Sequence, residues 1–261
     1  MLIQIVQADT RRPSTNPLSK YLRYDETRDD EPMMRSLNGA KLFHDWDFWS
    51  LTFLINRFRA GLLAPDYAYR FVEMNQSRHF PDRHVTWGKI GVVLELLQGH
   101  PRPDAVVFID SDAWIRDHRR LRDMMDYFMS QPDRHGMFSR DPKMPKNTLI
   151  NTGMMALKNT AYTHRFLEEV WAQVALYPSR RHEWPHEQFV ASQLVEQNLD
   201  RFLICKVAAF NTPCGQIVRH AWLKHMMSHL LIDEAYACLS AGDMGSADPF
   251  DPYEYLDDPQ P

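Results

Sequence analysis

Strand-like and helix-like segments alternate along most of this chain, and the alternation restricts its fold more than any other feature. Short runs rich in Val, Ile and aromatic residues precede longer segments in which apolar residues recur at helical spacing. A helix that connects two strands of one sheet packs on the face of that sheet, and the two strands then run parallel. The sequence therefore predicts an α/β fold with a mostly parallel central sheet and flanking helices.

The predicted elements can be placed along the chain. Strands are expected at 2–9, 67–74, 106–109, 136–139, 149–157 and 202–210. Helices are expected at 42–63, 86–98, 116–131, 159–174, 183–198 and 228–239. These elements predict one domain over residues 1–240, with an insertion within 10–60, followed by an acidic, Pro-rich tail at 241–261 that would ordinarily be flexible.

Composition excludes some classes of protein. The chain has 261 residues, 44% of them hydrophobic, which suits one large core. Its net charge of −4 argues against a nucleic-acid-binding protein, which needs a basic face. Three cysteines without metal-binding or redox spacing favour a reducing compartment. With no signal peptide and no apolar run of membrane length, a cytoplasmic protein is expected; peripheral contact with the inner membrane face and a homo-oligomer stay open.

Residues 106–115 read VVFIDSDAWI, a buried strand followed by two aspartates. Because side chains alternate along extended backbone, Asp110 and Asp112 point the same way. Ligands of doubly wound sheets bind at the carboxyl ends of the strands, where this pair lies. Carboxylate oxygens favour hard cations such as Mg²⁺ or Mn²⁺, and such an ion could also bind a diphosphate.

Two other interpretations of the pair remain open. The aspartates could be solvated loop residues that cap the next helix. Haloacid-dehalogenase-like phosphatases also place Asp-x-Asp after an apolar strand, and Asp110 would then be the nucleophile. Trp114 stands where those enzymes carry Thr or Val, and the motif lies in the middle of the chain, so the phosphatase pattern fits poorly.

Four segments resemble blocks of glycosyltransferase family 34, the galactomannan galactosyltransferase and xyloglucan xylosyltransferase family. In chain order they are TWGKIGVVLELLQGHPRPDAVVFIDSDAWIRD at 86–117, LINTGMMALKNTAYTHRFLEEVW at 149–171, HEQFVASQLV at 186–195 and VRHAWLKH at 218–225. Four blocks in the family's order are far more specific than the Asp-x-Asp pair alone. The chain departs from the family at His186 and Glu187, which replace the usual acidic pair, and it lacks the glycine of the last block.

The resemblance implies a GT-A fold, the Rossmann-like fold of nucleotide-diphospho-sugar transferases. It also implies a retaining, metal-dependent glycosyltransferase that moves a hexose or pentose from a UDP-sugar, with galactose favoured. The metal would be Mn²⁺ or Mg²⁺, and the acceptor a glycan, a lipid-linked sugar or a small glycoside. A non-catalytic module that binds nucleotide-sugars is the remaining alternative.

The resemblance also implies roles for individual residues. The metal ligands would be Asp110, Asp112 and His220, with His225 left open as the third ligand. The nucleotide and diphosphate would contact Gln7, Asp9, Lys89, Ser111 and Lys224. The sugar would contact Asn151, Thr152, Gly153 and His186. Gln188 would lie beneath the anomeric carbon, and Glu187 would hold hydroxyl groups or act as a nucleophile.

From the residues alone, plainer explanations stand beside these roles. Lys89 could lie on the solvated face of its helix, and Asn151, Thr152 and Gly153 could form an ordinary turn. His220 is one of twelve histidines. The basic segment at 179–184 is expected to be a solvated loop, with contact to an anionic acceptor or a membrane as the second alternative.

Overall fold

The computed structural model describes residues 1–11, 13, 48–142, 148–221, 228–240 and 250–257. Its strands are β1 (Ile3–Asp9), β2 (Tyr67–Glu73), β3 (Ala105–Ile109), β4 (Ala113–Ile115), β5 (Gly136–Arg140), β6 (Ile150–Lys158), β7 (Phe202–Cys205) and β8 (Val218–His220). Its helices are α1 (Phe48–Gly61), α2 (Gln76–His79), α3 (Gly88–Gln98), α4 (His118–Ser130), α5 (Ala161–Gln173), α6 (His186–Glu196), α7 (Val207–Phe210) and α8 (Ser228–Ser240).

Six strands form the central sheet, in the order β2-β1-β3-β6-β5-β7. The pairs β1–β2, β1–β3 and β5–β7 are parallel, whereas β6 is antiparallel to both of its neighbours. Five strands therefore run in one direction and β6 in the other. The mostly parallel α/β sheet that the sequence predicts is confirmed.

The sheet is buried on both faces, which explains why its strands read as continuous apolar runs. Alternation along β1 sends Ile3 and Ile5 into the core under α4, and Val6 and Ala8 into the core under α3, α5 and α6. Phe108 on β3 is 1% exposed. The structure therefore has a layer of helices on each face of one sheet, and the polar residues of interest lie at the carboxyl ends of its parallel strands.

A second, two-stranded sheet was not predicted from the sequence. Strands β4 and β8 pair antiparallel, and Ala113 lies opposite His220. Asn56 of α1 holds this small sheet through its side chain, which donates to the carbonyl of Ala113 at 3.0 Å and accepts from the amide of Ile115 at 2.8 Å. The pairing brings the distant segment 218–220 next to the residues that follow β3.

The predicted late strand is only partly correct. Strand β7 ends at Cys205, and Val207–Phe210 forms one helical turn instead of continuing the strand. A short apolar run does not distinguish a strand from a buried helical turn by its periodicity. The predicted helix at 42–63 is described from Phe48 onwards, and residues 42–47 lie outside the described part of the chain.

Part of the predicted tail packs on the domain. The amide of Lys206 donates to the carbonyl of Tyr255 at 2.7 Å, and the amide of Asp257 donates to the carbonyl of Ile204 at 2.8 Å. Tyr255 is 2% exposed, and Asp257 pairs with Arg140 at 2.5 Å. Residues 250–257 therefore cover the outer edge of β7 rather than forming a flexible tail.

None of the described helices is both long enough and apolar enough to cross a membrane. The three cysteines of the chain, Cys205, Cys214 and Cys238, are all free thiols. A cytoplasmic location remains a prediction.

Candidate functional site

The polar residues of the sheet edge converge because β6 runs against its neighbours. Asp9 ends β1, Asp110 follows β3 and Asp141 follows β5, so all three lie at the carboxyl ends of strands that run in the same direction. Since β6 is antiparallel, its amino end reaches that same edge, and Asn151 comes with it. The sequence blocks around 110 and 151 therefore meet in space.

Two carboxylates and one imidazole form the centre of this edge. Asp110, Asp112 and His220 each offer one ligand atom, and these atoms lie within 4.8 Å of one another. Backbone hydrogen bonds fix the segments that carry them: the amide of Asp110 donates to the carbonyl of Gly153 at 2.7 Å, and that of Ala221 donates to the carbonyl of Asp112 at 2.9 Å. The group can hold a divalent metal ion.

A side chain that the sequence did not indicate orients the imidazole. The amide nitrogen of Asn211 donates to the carbonyl of Arg140 at 3.1 Å, which turns its oxygen toward His220. That oxygen lies 2.8 Å from Nδ1 of His220, so Nδ1 must carry a proton. Nε2 of His220 then faces Oδ1 of Asp112 at 3.1 Å. Nε2 is the nitrogen that a metal ion would use, as is usual when a second residue fixes the ring.

Gly153 leaves room for this cluster. A Cβ atom at this position would lie 2.5 Å from Cε1 of His220, 2.8 Å from Oδ1 of Asn151 and 3.0 Å from Oδ2 of Asp110. No residue larger than glycine fits without displacing one of these side chains. The cluster thus depends on a glycine that the sequence predicted for the sugar pocket.

Lys89 is not a solvated helix residue. It is 5% exposed, and its Nζ lies 2.8 Å from Oδ1 of Asp110 and 3.4 Å from Oε1 of Glu187. Burial lowers the pKa of Lys89, but the charges of Asp110 and Glu187 outweigh this effect and leave the pKa above its ordinary value. The ammonium group therefore stays charged in the middle of the site.

Burial and neighbouring charges also shift the pKa values of Asp110 and His220. Loss of hydration raises the pKa of Asp110, and the charge of Asp112 raises it further. The charge of Lys89 lowers it, but the pKa stays above its ordinary value. For His220, burial lowers the pKa, but the Asp112 carboxylate raises it above the ordinary value. The imidazole thus shares a proton with Asp112, and a cation bound at the same place would displace this proton.

Two cavities meet at this cluster. One of about 240 Å³, the β6 cavity, is lined by Asn151, Thr152, Glu187, Gln188, Asp141, Trp184 and their neighbours. The other, of about 360 Å³, the β1 cavity, is lined by Asp9, Arg11, Met74, Val85, Ser111, Asp112 and their neighbours. Both cavities share Thr86, Lys89, Asp110 and His220. A ligand that spans both must therefore pass over the charged cluster.

The polar groups of the β6 cavity form one hydrogen-bonded network. The hydroxyl of Thr152 donates to Oε1 of Glu187 at 2.9 Å, and its amide donates to Oε1 of Gln188 at 3.3 Å. The amide nitrogen of Gln188 donates to Oδ2 of Asp141 at 2.6 Å. Asp141 was not identified from the sequence, because a single aspartate after a strand carries no motif. The network fixes the orientation of the Gln188 side chain.

His186 and Glu187 each leave a buried polar atom without a hydrogen-bond partner among the described residues. These atoms are Nδ1 of His186 and Oε2 of Glu187. Both residues line the β6 cavity and are less than 10% exposed, at 8% and 3%. A buried polar atom without a partner is unfavourable unless a ligand or water supplies one. The β6 cavity is therefore suited to a ligand with hydroxyl groups.

Asp9, one of the residues predicted to contact the nucleotide, lines the β1 cavity. Asp9 accepts from Nε of Arg11 at 2.7 Å and from its backbone amide at 2.9 Å, and the guanidinium of Arg11 lies 3.4 Å over the ring of Trp49. Burial raises the pKa of Asp9, but hydrogen bonds from Arg11 and Ser111 bring it below the ordinary value. Asp9 therefore stays ionised beside the cavity.

The expectation that Gln7 meets the nucleotide base is not supported by its placement. Its side chain donates to Oγ1 of Thr52 at 3.0 Å and accepts from the Tyr69 hydroxyl at 2.8 Å. It is 1% exposed and is absent from the walls of both cavities. The side chain of Gln7 fixes α1 and β2 on β1. Lys224 and His225 lie outside the described residues.

The chain was compared with known proteins by sequence and by structure. No protein-family model and no curated protein matches the chain. A glycosyltransferase involved in the glycosylation of the major capsid of PBCV-1 superposes with a TM-score of 0.55, over 88% of this chain and 99% of that one, at 11% identity. This chain has the fold of a glycosyltransferase.

Two other solved structures superpose less well. Mouse xyloside xylosyltransferase 1, in its apo form, gives a TM-score of 0.39 at 12% identity, over 79% of this chain and 85% of that one. The galactosyltransferase LgtC, in complex with donor and acceptor sugar analogues, gives 0.38 at 11% identity, over 73% and 70%. The superposition at a TM-score of 0.55 and the six-stranded, mostly parallel sheet confirm the predicted GT-A fold class, whereas membership of family 34 remains a prediction from the motifs.

Proposed function

We propose that this protein is a retaining, metal-dependent glycosyltransferase that moves a hexose or pentose, with galactose favoured, from a UDP-sugar to a hydroxyl of a glycan or glycoside. One observation carries the proposal. In a glycosyltransferase fold, the carboxylates of Asp110 and Asp112, the imidazole of His220 and the ammonium of Lys89 converge where two cavities meet. A diphosphate between a nucleotide and a sugar needs such a junction.

We propose Mn²⁺ or Mg²⁺ as the metal, because two of the three ligands would be carboxylates. Asp110, Asp112 and His220 would hold the ion, and Asn211 would keep Nε2 of His220 directed at it. Such an ion neutralises negative charge on the diphosphate as it departs. The glycine at 153 leaves space beside two of the three ligands, so that diphosphate oxygens can approach.

The nucleotide then lies in the β1 cavity and the sugar in the β6 cavity. Ser111 lies at the β1 cavity beside Asp9, close to the ribose or sugar. Lys89 faces the diphosphate at the boundary, where its charge opposes the charge that develops on the leaving group. Oε2 of Glu187 and Nδ1 of His186 bind sugar hydroxyl groups and thereby gain the partners that they lack.

Transfer with retention is proposed to occur on one face of the sugar. The bond from the anomeric carbon to the phosphate oxygen breaks and the bond to the acceptor oxygen forms, through a state with oxocarbenium character. The acceptor proton passes to the departing phosphate oxygen. Gln188, held by Thr152 and Asp141, presents an amide rather than a carboxylate to the sugar, so a covalent intermediate would need Glu187 instead.

The test is a thermal-shift titration with UDP and Mn²⁺, separately and together. A ligand that binds only the folded state raises the melting temperature. We expect a large shift only when both are present, its loss in Asp112→Asn, and its retention in Asp133→Asn, whose side chain is 84% exposed and lines neither cavity. Transfer from UDP-galactose, UDP-xylose and UDP-glucose is then compared.

The outcome also decides between functions. If UDP gives no shift with or without metal, the proposal is wrong, and phosphomonoester hydrolysis with Asp110 as nucleophile is measured. If UDP and metal bind but no sugar donor is consumed, the chain is a nucleotide-sugar-binding module rather than an enzyme.

A further inference from the structure

Trp184 is an exposed aromatic residue at the mouth of the β6 cavity. Its indole is 58% exposed, yet it lines the cavity that also contains Glu187 and Gln188. Other large apolar side chains of the described residues are exposed as well: Met1, Leu62, Leu176, Leu199 and Tyr253. None of these lines either of the two cavities. Trp184 is therefore exposed at the one place where a substrate would pass.

The backbone on both sides of Trp184 is fixed. Nη1 of Arg180 donates to the carbonyl of Trp184 at 2.7 Å, and the guanidinium of Arg180 lies 4.7 Å from the ring of Phe189. On the other side Pro185 is buried, and His186 stacks on His84 with ring centroids 4.0 Å apart and planes 3° from parallel. The indole is thus presented to solvent by a segment that is itself anchored.

The position of Trp184 relates directly to the proposed chemistry. Three peptide units separate it from Glu187, so their Cα atoms lie within about 11 Å of each other. The same cavity is also lined by hydrogen-bonding groups, including those of Asp141 and Asn151. An apolar ring beside several polar groups differs from an apolar groove for a lipid or a helix, which is lined mainly by aliphatic side chains.

We propose that Trp184 is the platform on which a pyranose ring of the acceptor stacks. This inference rests on the proposed function and names the residue that selects the acceptor. The face of an indole is electron-rich, and the C–H groups on one face of a pyranose carry partial positive charge, so the two surfaces attract each other as they exclude water. The sugar hydroxyl groups, which point outward from the ring, reach the polar wall. A carbohydrate acceptor has both a flat C–H face for the indole and hydroxyl groups for the polar wall, whereas a peptide or a lipid chain does not have both.

The test compares Trp184→Ala and Trp184→Phe with Leu176→Ala, which removes an apolar side chain that is 71% exposed and lines neither cavity. Binding of methyl β-galactoside, methyl β-glucoside, lactose and cellobiose is measured by saturation-transfer NMR without donor, which requires no transfer. The acceptor KM and the slow hydrolysis of UDP-galactose without acceptor are measured in parallel.

We expect Trp184→Ala to weaken sugar binding and raise the acceptor KM about tenfold, which corresponds to a stacking contact of the usual strength. The stabilisation by UDP with Mn²⁺ should stay at the wild-type value, because the β1 cavity and the metal cluster do not include Trp184. Hydrolysis of UDP-galactose without acceptor should fall less than transfer to the acceptor. Trp184→Phe should keep most of the binding because it retains an aromatic face. Leu176→Ala should behave as wild type.

Two results would overturn the inference: equal sugar binding by wild type and Trp184→Ala, or no binding of any of these sugars to the wild type. Failure of the proposed function has a different signature. In that case UDP with Mn²⁺ gives no stabilisation, while sugar binding that depends on Trp184 is still observed; Trp184 then binds a sugar, but that sugar is not the acceptor of a transfer.

Discussion

Nε2 of His220 lies 3.1 Å from Oδ1 of Asp112, although 108 residues separate them along the chain. Two strands of three residues each make this contact, since Ala113 in β4 pairs with His220 in β8. The predicted metal ligands are therefore assembled by a sheet too short to be recognised by its sequence. The same contact makes the site sensitive to residues that touch neither carboxylate.

Asn211→Ala should weaken metal binding without removing a ligand. Its oxygen lies 2.8 Å from Nδ1 of His220, and without it the imidazole loses the partner that fixes its ring and tautomer. We expect the affinity for Mn²⁺ in the presence of UDP to fall by about 10- to 100-fold, measured by isothermal titration calorimetry. Asn198→Ala is the control, because Asn198 lines neither cavity and its side chain donates to the carbonyl of Leu194. An unchanged affinity would mean that Asn211 does not position the imidazole.

Gly153→Ala should remove the stabilisation by UDP and Mn²⁺ while the protein stays folded. The added Cβ would lie 2.5 Å from Cε1 of His220 and 3.0 Å from Oδ2 of Asp110, so these side chains must move apart. Because the atoms in contact belong to side chains, the cost in stability should be about 1–3 kcal/mol. Thermal shift measures both effects.

Gly61→Ala is the matched control for this substitution. A Cβ at residue 61 would have no atom within 4 Å. It should leave ligand binding unchanged and alter stability by less than about 1 kcal/mol. If Gly153→Ala binds UDP with Mn²⁺ as wild type does, the close approach at this glycine has no role in binding.

Tyr255→Ala should destabilise the protein, which would show that the end of the chain is part of the folded domain. Tyr255 is 2% exposed, and its hydroxyl accepts a hydrogen bond from Arg120. Loss of a buried aromatic ring costs about 3–5 kcal/mol, measured by urea denaturation. Tyr253→Ala, at a residue that is 69% exposed, should cost less than about 1 kcal/mol. Equal effects of the two variants would contradict the packing described for residues 250–257.

His118 should make stability depend on pH between 6.5 and 4. Burial and the positive charge of Arg59 lower the pKa of His118 from 6.5 to about 4, although Asp117 raises it in part. In this window the unfolded chain binds a proton that the folded protein does not, so the free energy of unfolding falls as the pH falls. The loss attributable to His118 reaches up to about 3 kcal/mol at pH 4.

The contribution of His118 is isolated by comparing wild type with His118→Gln in urea denaturation at pH 7, 5.5 and 4. Glutamine cannot be protonated, so the variant should lose less stability than the wild type over this range. Parallel pH dependences for the two proteins would show that His118 is not held neutral by the fold.

Much of the fold could be predicted because its signals are local. The apolar run before Asp110 and the periodicity of α3 and α4 mark elements whose type does not depend on their neighbours. Strand β7 is the instructive exception. Its last residue, Cys205, is followed by Lys206, whose amide donates to the carbonyl of Tyr255, so a contact with the distant tail replaces the continuation of the strand.

The candidate site was predicted less completely than the fold. The motifs indicated Asp110, Lys89 and Glu187, whose side chains lie together in the structure. Asn211 and Asp141 were missed because each is a single polar residue in a connection and belongs to no motif, although they contact His220 and Gln188 in the fold. The roles of these residues depend on long-range hydrogen bonds, which the periodicity of the sequence does not predict.

The sequence by itself determined the order of strands and helices, the mostly parallel sheet and the two carboxylates at its edge. These depend on alternation and apolar patterning, which act between near neighbours in the chain. Only the tertiary structure decided that His220 faces Asp112, that Gln7 turns away from the cavities and that Trp184 stands at the mouth of one of them. Those placements depend on contacts between segments far apart in sequence, and packing of the whole chain determines which of the available contacts form.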